Sequence, residues 1–272
     1  MRFDRGIRNT VFGMVFVLCF CICAVQAFAA GEPEVYGMVE SFTWKEFGQG
    51  GEQLLKESGP RFGAGFVYTH AFEGGVTIKP RVELFGGTVD YDGATQTGVP
   101  VMSDVEYFGV KLQGDVGVRI GEGLIFEPFG GVGLRGWDRT IEDSVTVSGT
   151  QAIGYTEEWL IAYGRLGIRF MTEPSQEMRT FFEAGVLVPF YSENTALLSE
   201  KFLAADVTFK PKMKTSLFAE AGFKAGTFKM SAFYEALRFD PSDPVIEPFS
   251  GLLFYQPKSE SDVFGVRIGA AF

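Results

Sequence analysis

Apolar and polar residues alternate with a period of two through most of this chain, and the clearest stretch is "VTIKPRVELFG". There Val76, Ile78, Pro80, Val82 and Leu84 point one way and Thr77, Lys79, Arg81, Glu83 and Phe85 the other, which is the geometry of a strand. The same pattern sets Phe108, Val110, Leu112, Val116 and Val118 against Lys111, Gln113, Asp115 and Arg119. It sets Leu124, Phe126, Pro128, Val132 and Leu134 against Glu127, Phe129 and Arg135, and Leu160, Ala162, Leu166, Ile168 and Phe170 against Tyr163, Arg165 and Arg169. Met178, Phe182, Ala184, Val186 and Val188 likewise oppose Arg179 and Glu183. Weaker copies run through residues 34–44, 61–71, 213–225 and 228–238, and the last twelve residues, "SDVFGVRIGAAF", make the tenth.

In strand after strand one face carries no charge, while the other mixes long charged side chains with glycine and tyrosine. A soluble sandwich hides its apolar face and wets the mixed one. A barrel with lipid outside and a polar lumen accounts for both faces. The nine residues from Val76 to Leu84, at about 3.3 Å each and a tilt of roughly 40°, rise about 23 Å, the height of an outer-membrane apolar band. Connections alternate in length: short at "AFEGG", "GEG", "TEPSQE" and Gly226-Thr227, long at residues 45–60, 89–104, 138–156, 192–212 and 239–261. The pattern predicts an all-β fold, a transmembrane antiparallel up-and-down β-barrel of about ten strands, with eight and twelve as the alternatives. First-to-last pairing must close it, because an open edge in lipid leaves backbone groups unpaired.

The amino terminus supports export. Arg2, Arg5 and Arg8 precede the apolar run "VFGMVFVLCFCICAV", and Ala27-Phe28-Ala29 follows as a small-x-small cleavage site. The run is about 15 residues, short of the roughly 20 that a spanning helix needs. We therefore read residues 1–29 as a secretory signal peptide and 30–272 as the barrel. Cys19, Cys21 and Cys23 all fall in the signal, which leaves the mature chain no thiol for oxidation or metal binding. Losing three arginines and Asp4 takes the formal net charge from −10 to −12. That acidity argues against nucleic acid as a partner.

The terminal strand, with Phe264, Val266, Ile268 and the closing Phe272, resembles the carboxy-terminal signal read by the outer-membrane assembly machinery. With the signal peptide and the meander, the mature chain resembles small monomeric outer-membrane β-barrels of the OmpA, OmpX and opacity-protein kind. The resemblance implies a monomer in the outer membrane of a Gram-negative envelope, reached through the periplasm. Its implied partners are outer-membrane lipids, lipopolysaccharide and the assembly machinery. It departs from OmpA in that nothing follows Phe272, so no peptidoglycan-binding domain is expected.

Parity assigns thirteen basic residues to the lumen: Arg61, Lys79, Arg81, Lys111, Arg119, Arg135, Arg165, Arg169, Arg179, Lys214, Lys224, Lys229 and Arg267. Six acids join them, Glu83, Asp115, Glu127, Glu183, Glu220 and Glu235, for an expected lumen charge of +7 and −19 elsewhere, most of it in the long loops. Ten strands enclose a backbone diameter of roughly 20 Å, so these charges must pair or meet water. The same parity turns eleven glycines inward, among them Gly63, Gly109, Gly131, Gly133, Gly167 and Gly265. They either make room for guanidinium stems or relieve crowding in the strands.

Enzyme chemistry finds little support. The single histidine, His70, falls beside the short turn "AFEGG" at the periplasmic side, and no Ser-x-x-Lys, Gly-x-Ser-x-Gly or metal-ligand spacing occurs. No cofactor and no metal site is expected. Phe108, Phe126, Phe170, Phe182 and Phe223 read as lipid-facing, and Trp44, Trp137, Trp159, Tyr155 and Tyr191 as an aromatic girdle at the upper rim. The alternation of Val207, Phe209 and Met213 keeps phase with Leu217 and Ala219, which predicts an extended eighth strand. Function is expected to be a structural or surface-interaction role through acidic extracellular loops. The alternatives are a narrow pore preferring small anions and, less favoured, a lipid-modifying enzyme.

Overall fold

The computed structural model describes residues 31–95, 98–172 and 177–272. The expected signal peptide lies outside the described residues. Ten long strands follow in chain order: β1 (Glu32–Phe47), β2 (Gln53–Ala71), β3 (Val76–Ala94), β4 (Pro100–Val118), β5 (Leu124–Ile141), β6 (Thr156–Thr172), β7 (Met178–Ala196), β8 (Ser216–Ala225), β9 (Phe228–Asp240) and β10 (Lys258–Ala271). Each pairs antiparallel with the next, and β1 pairs with β10 from Glu34↔Ala271 to Phe47↔Lys258, so the sheet closes on itself without an edge. Among the described residues no helix is long and apolar enough to cross a membrane; the crossing is made by strands.

The lower half of the barrel wears an apolar coat. Val39, Phe62, Val116, Val132, Leu166, Leu217 and Phe264 all lie outward and more than half exposed. In water this surface would be unfavourable by some 25 cal/mol per Å²; against acyl chains it costs nothing. The strands do not stop where the coat stops. Val76–Ala94 has 19 residues, which at about 3.3 Å per residue and roughly 40° of tilt stand about 48 Å tall, some twice the apolar band.

Above the coat the alternation continues with its polarity inverted. On β3, Val89 and Tyr91 turn inward while Asp90 and Asp92 face out. On β4 the inward residues are Val105 and Tyr107, and the outward ones Asp104 and Glu106. On β9, Leu237 and Phe239 are buried between Arg238 and Asp240. The upper barrel is thus built like a soluble one, greasy within and charged without. The segments expected as long loops are largely these extensions: the β1–β2 connection shrinks to residues 48–52 and the β3–β4 connection to 95–99.

Larger connections remain at residues 142–155, 197–215 and 241–257, and they carry small hairpins of their own, Ser144–Val145 with Gln151–Ala152 and Val245–Ile246 with Leu253–Phe254. The approach to β8 is broken in two. Val207–Phe209 pairs with β7 and Lys212–Lys214 with β9. The expected phase fails here: Val207 and Phe209 are buried, whereas Leu217 faces out. Pro211, whose missing N–H cannot join a ladder, sits at the break. At the opposite end the turns are tight; Gly226, at φ 58°, makes the reversal between β8 and β9.

Candidate functional site

The inward glycines hold rings. A Cβ on Gly109 would stand 2.4 Å from the Phe85 ring, one on Gly167 2.6 Å from Phe129, one on Gly185 2.7 Å from Phe218, and one on Gly265 2.5 Å from Phe233. Each ring then carries a guanidinium on its exposed face: Arg135 over Phe85 at 4.6 Å, Arg169 over Phe129 at 3.8 Å, Arg165 over Phe218 at 4.2 Å and Arg267 over Phe233 at 3.7 Å. Both readings of the glycines are therefore refined, since the space they leave is filled by an aromatic ring and the arginine stacks on that.

Carboxylates complete the layers. Arg169 reaches Glu183 at 2.6 Å and Glu127 at 2.7 Å and also pairs with Asp115, while Arg165 reaches Asp115 at 3.0 Å and Glu183 at 2.8 Å. Lys79 lies 3.4 Å from Glu183 and Arg119 3.1 Å from Glu127. One layer higher, Glu83 receives Lys111 at 2.7 Å, Arg267 at 2.8 Å and the Tyr36 hydroxyl at 2.5 Å, with Arg81 at 3.8 Å. Glu220 receives Arg267 and Arg81, and Glu235 receives Arg135 and Lys111. The lumen residues Lys79, Arg81, Glu83, Lys111, Asp115, Arg119, Glu127, Arg135, Arg165, Arg169, Glu183, Glu220, Glu235 and Arg267 that parity singled out thus lie in two ion-pair nets, one layer above the other, and are almost all buried. Such a net is costly to desolvate and coherent only when complete.

The expected surplus of positive charge is not there. Lys214 is exposed and pairs with Asp240 on the outside. The expected +7 omits β1, where Glu34 pairs with Lys229 and Glu40 with Arg61 at 2.8 Å, while Glu32 takes Arg179 and Lys224. It also omits the extensions, which bring in Arg139, Glu46, Glu57 and Glu157. Thirteen cations then face twelve carboxylates in the described lumen, close to neutrality.

Cavities flank these nets. The periplasmic one, about 90 Å³, lies among Glu32, Glu34, Lys79, Arg119, Lys224 and Lys229. The extracellular one is a chamber of about 670 Å³ roofed by the larger connections. Leu55, Tyr91, Val101 and Ile141 wall it from the strands, and Leu198, Phe202, Leu252 and Phe254 from the roof. Its floor is Arg139, which pairs with Glu57, reaches Glu157 at 2.9 Å and stands 3.9 Å from Glu46. The three tryptophans lie under that floor: Trp137 stacks on Trp159 at 5.2 Å, and Trp44 meets Trp159 edge-on at 5.3 Å. Their indole N–H groups are spoken for, Trp44 donating to Glu46 and Trp159 to Glu157, each at 3.0 Å. The girdle expectation fails for these three residues, which are at most 5% exposed and point inward. Trp137 is in phase with Arg135, and that parity was the available signal.

His70 sits at the periplasmic end of β2, edge-on to Phe72 at 4.4 Å, across the barrel's length from the chamber. Among the described residues no group of three or more His, Cys, Asp or Glu side chains is arranged to hold a metal ion.

A closed antiparallel barrel with a lipid-facing coat, a polar filled lumen and short turns at the end holding both termini is the fold of a small outer-membrane β-barrel protein. No family model matches the sequence, and no curated protein matches it. Solved structures do. The outer-membrane protease OmpT from Escherichia coli aligns over 90% of this chain and 96% of its own, with a TM-score of 0.56 at 9% identity. The translocator domain of the autotransporter NalP from Neisseria meningitidis aligns over 97% of each chain, with a TM-score of 0.39 at 8% identity. Ail, the attachment invasion locus protein of Yersinia pestis, aligns over 89% of this chain and 99% of its own, with a TM-score of 0.35 at 11% identity.

Proposed function

We propose that this chain is an exported barrel of the Gram-negative outer membrane that does not conduct, and that its working part is the extracellular extension, which meets ligands or partners at the cell surface. The observation that carries this reading is the stack of two ion-pair nets lying between the two cavities, whose members pack against rings and carboxylates on all sides. Opening a path through it would separate buried charges from their partners, at about 3–5 kcal/mol for each broken pair. The near balance of cations and carboxylates also speaks against selection for small anions, which needs a net positive constriction. Acidic residues line the outer face of the extension, at Asp90, Asp92, Asp104 and Asp138 from the segments expected as loops and at Glu106 and Glu158 beside them. There they are at the level of the lipid headgroups and beyond.

The test is reconstitution of the mature protein in planar bilayers and in osmotically loaded liposomes. Silent bilayers and unswollen liposomes are expected. Regular ohmic steps preferring chloride over potassium would replace this reading with the narrow anion pore. Altered lipid A in a strain expressing the protein would replace it with the lipid-modifying enzyme.

A further inference from the structure

The charges at the floor of the extracellular chamber do not balance. In the nets below, Glu83 has three cations within 4.0 Å and Glu183 also has three. At the chamber floor the ratio reverses: Glu46, Glu57 and Glu157 share Arg139, and among the described residues no other Lys or Arg comes within 4.0 Å of any of them. Glu57 is the best served, with Arg139 and the Tyr107 hydroxyl. Glu157 holds one guanidinium nitrogen, the Trp159 N–H and, at 3.3 Å, the Tyr155 hydroxyl, so that its further donors are neutral. Glu46 is left with neutral donors, Trp44 Nε1 and Gln256 Nε2, both at 3.0 Å on the same oxygen Oε1, and it lines the chamber.

Carboxylates in surplus at the bottom of a chamber with apolar and aromatic walls are costly unless a proton or a cation joins them, and a chamber open above them gives a cation access. The chamber is of the size that holds a small organic molecule, between about 300 and 1,000 Å³. Tyr91, Tyr155 and Tyr255 are among its wall residues, and aromatic rings attract cations as well as apolar groups. From the charge deficit and the apolar enclosure together we infer that the chamber binds an organic cation, an ammonium or guanidinium group on an apolar or aromatic body, with the charged end on Glu46 and Glu157 and the body against Leu55, Val101 and Phe254. The inference rests on the reading of the extracellular end as the working end.

The test uses the full mature barrel in nanodiscs and the series 4-phenylbutylamine, 4-phenylbutanol and 4-phenylbutyrate. All three tryptophans lie beneath the floor, so intrinsic fluorescence reports on this site. The amine is expected to shift the emission and to bind about tenfold more tightly than the alcohol, with the carboxylate weakest. Glu46→Gln is expected to weaken the amine about tenfold while leaving the alcohol unchanged, which also shows that the chamber is intact. Equal binding of amine and alcohol, an unaffected amine in the Glu46→Gln variant, or no binding of any of the three would overturn the inference. A conducting barrel that still selects the amine would refute the non-conducting reading alone; a silent barrel indifferent to the amine would refute this one alone.

Discussion

The two halves of the lumen are built from the same inward-facing parity and do opposite things with it. At the level of the apolar coat, Arg169 touches three carboxylates and Glu83 is reached by three cations, so that the central charges are held from several sides. Above the coat, three carboxylates divide one arginine, and the space over them is hollow. The difference teaches that a narrow barrel closes itself with ion pairs only where they can be saturated. Where saturation is given up, room and charge become available for something else.

The comparison can be broken first by removing its lower anchor. Arg169→Met leaves Asp115, Glu127 and Glu183 short of a cation at the inner end of the small 90 Å³ cavity, far smaller than the upper chamber, and is expected to cost about 3–5 kcal/mol. Urea unfolding in lipid vesicles, followed by the loss of heat-modifiable mobility on gels, measures it. The upper counterpart, Arg139→Met, is expected to cost less, about 1–3 kcal/mol, because the chamber admits water to Glu46 and Glu157. Equal costs would show that the chamber floor is as dry as the net.

The smallest effect concerns the roof. The Glu247 carboxylate accepts from the amides of Ala205 at 2.8 Å, Phe249 at 3.1 Å and Ser250 at 2.6 Å, and so ties two of the larger connections together. These bonds, with that from the Ser250 hydroxyl, hold its carboxyl down at about 2, against an ordinary 4.5. A depressed value means that the tie is fully present above about 4.5 and fades as pH falls toward 2. Hydrogen exchange in residues 241–257 is expected to quicken over that interval once the intrinsic rates are divided out. In Glu247→Gln it is expected to be fast already at neutral pH.

Much of the barrel was legible because lipid imposes a simple rule. Along Val76 to Leu84 or Phe264 to Ile268, apolar residues on one parity and ionic ones on the other admit one orientation, and the strand count of ten and the closure of β1 on β10 followed from it. The rule fails where lipid ends. Asp90, Asp92 and Asp104 fall in a stretch that reads as loop because its outward face is polar, although Val89, Tyr91 and, beyond it, Val105 keep the period. Alternation puts the residues from Lys79 to Arg267 on the ionic face of their strands, but the near neutrality of the lumen is not legible that way, since it depends on Glu40, Glu46, Glu57 and Glu157, which lie in stretches of weak alternation or polar outward face. The chamber could not be foreseen, because it depends on how the segments 142–155, 197–206 and 241–257 fold over the mouth.

The division of the lumen is tested most directly by accessibility of single cysteines, for which residues 30–272 offer a background without cysteine. Ala152→Cys lines the extracellular chamber and Lys224→Cys the periplasmic mouth. Intact cells are treated with a maleimide on a polyethylene glycol chain too large for general porins. Labelling of Ala152→Cys, with Lys224→Cys reacting only after the outer membrane is permeabilised, is the expected result. Labelling of Lys224→Cys in intact cells would mean that the ionic net is no seal, and would contradict the account.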